Sequence, residues 1–291
     1  MFDHFSPSRW PLPVSLGLAI AATLTGTLTG TLTADEPDAS EPPRYPINVA
    51  VADGTAFVVD LDLPGVWRVA DDSRTLFVRG SGRLRQPLNR PRCVAIHPRG
   101  GLLVGDTATR EVYHVAEAGA DPRPLIDGRL GIPMTLAVAP GGDTIYVGDA
   151  ESRAVWRFPV EGGAPERVAG VNARGLAFDS QGRLWAVTPD AEAIWQIDPE
   201  SGEAEVVLDG RPFGYPNGLT VLDDDLLVTD GYGKSVWRVT ADGQAEVWHA
   251  GEPLIGPVGI LAAEGYVWIV DPKAAQLFRV DPRTKSLEPQ L

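Results

Sequence analysis

Apolar residues along most of this chain come in short runs that stop at Gly, Asp, Asn or Pro. Residues 217–250 show the pattern: NGLTVLDDDLLVTDGYGKSVWRVTADGQAEVWHA. Four runs, GLTVL, DLLVTD, SVWRV and AEVWHA, carry β-branched and aromatic residues suited to a pleated, half-buried surface. Each is too short for a helix with a core-facing stripe. Asp223-Asp224-Asp225 separates the first run from the second. Equivalent places hold Ala52-Asp53-Gly54, Arg99-Gly100-Gly101, Gly141-Gly142-Asp143, Gln181-Gly182-Arg183 and Glu264-Gly265, mostly the Gly and Asp that tight hairpins demand. No stretch after residue 45 sustains a helical period, so the pattern predicts antiparallel strands throughout.

The four-strand unit recurs. VVDLDLPGVWRV (58–69), LVGDTATREVYHV (103–115), YVGDAESRAVWRF (146–158), AVTPDAEAIWQI (186–197), LVTDGYGKSVWRV (227–239) and WIVDPKAAQLFRV (268–280) share one design. An Asp closes the first run in five of them (Asp60, Asp106, Asp149, Asp230, Asp271), and Thr188 holds that place in the fourth. Seven residues later stands an aromatic: Trp67, Tyr113, Trp156, Trp195, Trp237 or Phe278. The spacing between aromatics runs from 39 to 46 residues, the period of a propeller blade. The expectation is an all-β fold, a six-bladed β-propeller of four-stranded antiparallel blades over residues 46–291. The blades run approximately over 46–88, 89–131, 132–171, 172–215, 216–256 and 257–291. Blade six supplies four strands of its own, so closure needs no borrowed strand, although residues 40–45 could add one.

Repetition separates scaffold from site. Residue types present in every blade serve the blade, and positions that differ are free for function. The recurrent Asp is therefore expected to accept hydrogen bonds from backbone N–H groups of the following loop. The aromatics are expected to pack between neighbouring blades. Arg68, Arg157, Arg238 and Arg279, each next to its aromatic, are expected to pair with recurrent acids. One column differs: the residue inside a Pro-x-Gly-like lead-in to each first strand, nearest the central axis. It reads Ile47, Arg92, Met134, Arg174, Asn217 and Val258. Arg92, Met134, Arg174 and Asn217 are the candidate ligand-binding residues. The two cations and the amide suit a small anionic molecule, such as a carboxylate or sugar acid, held by charge-assisted bonds; the alternative is that each Arg pairs with a nearby scaffold Asp and binds nothing.

Composition narrows the classes. A formal net charge of −14 argues against a nucleic-acid backbone or an anionic membrane as the main partner. A single cysteine, Cys93, excludes an internal disulfide and any multi-cysteine metal site, and its CVAI run places it in the core. His97, His114 and His249 are expected in different blades, without a metal-binding spacing, and His97 in a surface turn. Neither a nucleophile elbow in its strand–turn–helix context nor a phosphate-cradling loop is present.

The N-terminus reads separately. Arg9 precedes an apolar stretch at 11–24 and a TGTLTGTLTA run ending at Ala34, the pattern of a signal peptide over residues 1–34. The alternative is an uncleaved anchor; the stretch is short for a membrane span. Residues 35–45, DEPDASEPPRY, read as an acidic Pro-rich linker. Export to the periplasm or the exterior is expected.

The segment PNGLTVLDDDLLVTDG (216–231) resembles the metal-Asn segment of the regucalcin/gluconolactonase (SMP-30-like) family. That resemblance implies a Ca or other divalent metal site with Asn217 as a ligand, an Asp in the same column of the next blade and a Glu opening the first blade. The chain offers Val258, and Ile47 followed by Asn48, at those places. The stretches 135–158, 174–197 and 217–239 also resemble NHL repeats, and 135–158 is similar to YVTN-type repeats. NHL-type propellers imply ligand or macromolecule binding without chemistry. The expected function is an exported binding or interaction module with no catalytic residue and no cofactor, its partner a small anionic molecule or a protein. The alternative is a metal-dependent lactone or ester hydrolase of the gluconolactonase type. Strictosidine-synthase-like chemistry shares the fold but has no distinguishing motif here.

Overall fold

The computed structural model describes residues 42–70 and 73–291. The expected signal peptide and most of the linker lie outside the described residues.

The described chain forms six four-stranded antiparallel sheets, each made of consecutive strands. The innermost strand of each comes first: β1 (Pro46–Ala52), β5 (Pro91–Ile96), β9 (Pro133–Val138), β13 (Gly175–Phe178), β17 (Pro216–Leu222) and β21 (Gly259–Ala263). The second strands are β2 (Thr55–Asp60), β6 (Leu102–Asp106), β10 (Thr144–Asp149), β14 (Leu184–Val187), β18 (Asp225–Asp230) and β22 (Tyr266–Asp271). The first–second hairpins use the turn residues read from the sequence. Asp53 and Gly54 have φ of 50° and 70°, and Asp223 and Asp224 have 49° and 69°. Asp tolerates this left-handed region because its short side chain bonds locally.

The core is six separate clusters, each joining two neighbouring sheets. Tyr113 packs into the cluster that joins the first and second sheets. Trp156, Trp195, Trp237 and Phe278 do the same at the next four junctions. Trp67 closes the ring against Trp268, Val270 and Leu277 of the last sheet. The aromatic column therefore packs between blades, as its recurrence implied. The first sheet, β1 to β4 (Ser73–Arg79), and the last, β21 to β24 (Leu287–Pro289), each own four strands, and residues 42–45 add none.

Two expectations are corrected. Arg157, Arg238 and Arg279 do pair with recurrent acids, Glu166, Glu246 and Glu288, directly opposite on each fourth strand, and Arg68 is the exception. Arg68 faces Thr75 there, and no ion pair of it is formed among the described residues. His97 and His114 share one blade instead of occupying two, stacked with ring centroids 4.0 Å apart. His97 is buried, not in a surface turn, and its Nδ1 accepts from the N–H of Arg99. Burial first, then the neighbouring His114, keeps the His97 pKa below its ordinary value. Cys93 is sealed in the core, and burial pushes its thiol pKa up to about 12, so it is no thiolate nucleophile.

Candidate functional site

The recurrent Asp does more than cap its own loop. Asp106, fully buried, accepts from Ala108 N in the loop that follows, at 2.9 Å. It also accepts from Asn89 N and Arg90 N, at 2.9 and 3.0 Å, in the lead-in to β5. Asp149 takes Glu151 N and Ser152 Oγ on one side and Gly131 N and Ile132 N on the other. Asp60, Asp230 and Asp271 repeat the arrangement, Asp271 clamping Ile255 N and Gly256 N at 2.7 and 2.8 Å. Each carboxylate ties the end of a second strand to the start of the first strand beside it. For Asp149, burial works against the charged form, but these donors outweigh it and hold the pKa below the usual carboxylate range.

The clamp sets up a β-bulge. Pro91 lies opposite Asp106, and Cys93 opposite Gly105, so Arg92 is the extra residue. Ile47 and Met134 occupy the same skipped position, and Asn217 lies within the wider irregularity between Pro216 and Leu219. A bulge re-aims a side chain that a regular strand would bury between sheets. The variable column is thus variable in sequence and set apart in geometry. In β17, Thr229 Oγ1 accepts from Gly218 N at 2.8 Å and donates to the carbonyl of Val258 at 2.7 Å, bracing the bulge against the next sheet. Gly218 is required there: a Cβ would come within 2.6 Å of that same carbonyl oxygen.

All six column residues line one central cavity of about 370 Å³ that runs along the innermost strands. Arg92, Met134 and Arg174 are half-buried and Asn217 is buried. A second hollow, about 290 Å³, continues from the first and shares Ile47, Arg92, Asn217 and Val258 with it. Neither the Arg92 nor the Arg174 guanidinium has a hydrogen-bond or ion-pair partner among the described residues. The clamp carboxylates are committed to backbone donors, Arg110 and Arg153 hold Glu151 and Asp190, and Asp62, which lines the second hollow, forms no ion pair with Arg92. Burial first, and then the like charge of Arg92 among others, lowers the pKa of Arg174, with Tyr215 acting the other way. The two guanidiniums are thus close enough to repel each other in a half-dry hub. That is an arrangement an anion relieves.

A divalent cation fits these residues poorly. The Asn217 side chain supplies one neutral oxygen, and its nitrogen donates weakly to the Tyr215 carbonyl at 3.4 Å. Ile47 and Val258, at the two places where the sequence resemblance calls for carboxylates, line the same hollow with apolar groups. No cluster of three His, Cys, Asp or Glu side chains suited to a metal occurs among the described residues. Calcium takes about six to eight oxygen ligands, and the donor set here falls far short.

A model of the SMP-30/Gluconolactonase/LRE-like region matches residues 35–210, more than half of the chain. The chain belongs to this family. The SMP-30/gluconolactonase-like match ends before the Asn217 segment, so it does not speak to that ligand position. Virginiamycin B lyase of Nocardia farcinica (strain IFM 10152) is 28% identical over 190 residues, 62% of this chain and 65% of the lyase. The chain thus spans just under two thirds of that curated relative. Among solved structures, a gluconolactonase from Xanthomonas campestris superposes with a TM-score of 0.67 at 19% identity, over 81% of this chain and 85% of that one. Virginiamycin B lyase from Staphylococcus aureus gives 0.65 at 18% identity, over 84% of each chain. A chain of a nidogen/laminin complex gives 0.66 at 16%, over 84% of this chain and 90% of that one. At such identities these likenesses establish the propeller and no activity.

Proposed function

We propose that this family member is an exported, non-catalytic binding module that takes a small anionic molecule at the hub face, between Arg92, Arg174 and Asn217. The observation that carries the reading is two guanidiniums, without acidic partners among the described residues, facing one cavity in a protein of formal net charge −14. Arg suits the task because its planar fork matches a carboxylate through two parallel bonds. The same acidic surface disfavours nucleic acid as a partner. The apolar stretch at 11–24 supports export. The test is to replace both Arg92 and Arg174 with Ala and compare ligand-induced thermal shifts across a panel of carboxylates and sugar acids. The parent protein gains several degrees with at least one anion, and the double variant gains nothing. Equal shifts in the two proteins remove the reading.

The family match supports a second reading, a metal-dependent lactone or ester hydrolase. The donor set around Asn217 weighs against it. Metal analysis of the purified protein together with a lactone-hydrolysis screen separates the two: a stoichiometric divalent ion and turnover favour the hydrolase. The lyase relatives point elsewhere, since a histidine-to-alanine form of the Staphylococcus aureus lyase is described as catalytically inactive. No histidine among the described residues lines the hub cavity.

A further inference from the structure

Of nine exposed large hydrophobic residues among the described ones, Tyr45, Ile132, Tyr215 and Ile255 lie on lead-ins to innermost strands and Tyr232 on the loop after a second strand. Scattered exposed aromatics are ordinary; aromatics gathered round a cationic hollow call for a ligand.

Their placement is specific. Tyr45 and Tyr215 each directly precede the Pro that opens an innermost strand, in the first and fifth blades. In the sixth blade, which stands between these two in the closed ring, the same position is Gly256. Two tyrosines therefore flank a glycine round the rim, and the aliphatic part of the Lys273 side chain packs over that glycine. Both tyrosines line the 290 Å³ hollow, together with Ile47, Val258, Asn217 and Arg92. The clamp fixes the backbone of each tyrosine, since Tyr45 N and Tyr215 N donate to Asp60 and Asp230. Tyr215 is braced further by stacking on Tyr232, with centroids 4.7 Å apart and planes 22° apart, while Lys273 Nζ stands 5.8 Å from the Tyr232 ring. Both backbones are thus fixed, and the Tyr215 ring is held as a flat apolar surface.

We propose that this hollow selects an aryl carboxylate, a benzoate- or cinnamate-like anion, whose ring lies between Tyr45 and Tyr215 over Ile47 and Val258 and whose carboxylate meets Arg92. This deepens the anion-binding reading and rests on it. A sugar acid needs a donor or acceptor for each hydroxyl, and a buried hydroxyl left unpaired costs affinity. Side-chain polarity in the hollow sits on Asn217, Asp62, Arg92 and the tyrosine hydroxyls, while Ile47, Leu61 and Val258 offer a hydroxyl no partner. Its apolar floor, formed where the resemblance calls for metal ligands, suits a ring. Aromatic pairs gain beyond the area they bury.

The test is calorimetry on the full chain with cinnamate, benzoate, benzamide, acetate and gluconate. Cinnamate and benzoate bind roughly tenfold or more tighter than gluconate and acetate, a margin that stacking and ring burial supply. Benzamide, which keeps the ring and loses the charge, binds at least about tenfold more weakly than benzoate. Tyr45→Ala and Tyr215→Ala, at exposed positions that leave the unliganded melting temperature in place, each lower cinnamate affinity about fivefold or more without changing acetate binding. Gluconate binding as tightly as cinnamate overturns the aryl assignment and leaves the anion site standing. No binding of any carboxylate overturns both. Tight cinnamate binding unchanged in the two tyrosine variants overturns the slot.

Discussion

Two blades deliver an arginine to the same cavity by different means, and the second and fourth blades are worth setting side by side. In the second, Asp106 clamps Asn89 and Arg90, the strand begins with Pro91, and Arg92 occupies a bulge. In the fourth, Thr188 replaces the clamp, Ala173 replaces the proline, and Gly175 pairs with Val187 without a register shift. Arg174 then stands one residue ahead of β13, held by its N–H to the Val187 carbonyl. The tie runs the other way: Asn172 of the lead-in donates its amide to Asp190 in the loop, and Thr188 Oγ1 donates to Glu192 O while accepting from Asp190 N. The lesson is that the hub needs its six side chains presented but does not need one mechanism of presenting them. A blade that loses its clamp can rebuild the tie from the loop side.

The largest expected break of this symmetry is Asp106→Ala. It leaves three N–H donors at a buried carboxylate position without a partner, and urea unfolding should report a loss of roughly 3–5 kcal/mol. Thr188→Ala, which removes two neutral bonds, should cost only about 1–2 kcal/mol by the same measurement. Equal costs would show that the clamp is decorative. A middle-sized difference lies in acid. The folded pKa of Asp149 is depressed, so its contribution is fully present above the ordinary carboxylate pKa of about 3.8 and disappears as pH falls through the lower folded value. Stability should therefore decline below about pH 4, and Asp149→Asn, already weakened, should decline less steeply over that range. Thr188 has nothing to titrate, so Thr188→Ala should keep the parent's acid slope. The smallest effect separates site from scaffold. Arg174→Met removes a half-desolvated charge facing a like charge and should leave stability unchanged or raised by less than about 1 kcal/mol. Thermal unfolding checks it, and a clear loss would make Arg174 part of the scaffold.

How much of this was readable beforehand follows from where the partners lie in the chain. The strands, the period, the aromatic column and the scaffold role of Asp60 or Asp271 are local or repeated, so they appear as pattern. The second half of each clamp was hidden because Asn89 and Arg90 lie seventeen and sixteen residues before Asp106, across two hairpin strands. Pairing of Arg238 with Glu246 depends on register, which a loop of unknown geometry sets. The His97–His114 stack was missed by counting histidines as dispersed when both belong to residues 89–131. The tyrosine slot was invisible for a different reason: Tyr45 and Tyr215 become neighbours across Gly256 only when the last sheet meets the first.

That meeting has its own consequence. Among the described residues no sheet lends a strand to another, and the first and last touch through Trp67, Trp268 and Val270 and a bond from Gly54 N to Glu264 Oε2. The circle is fastened there without a backbone ladder, so no zipped seam marks where it starts. Splicing its ends together and severing it between any other two sheets would spare every ladder bond, so the ring has no privileged beginning.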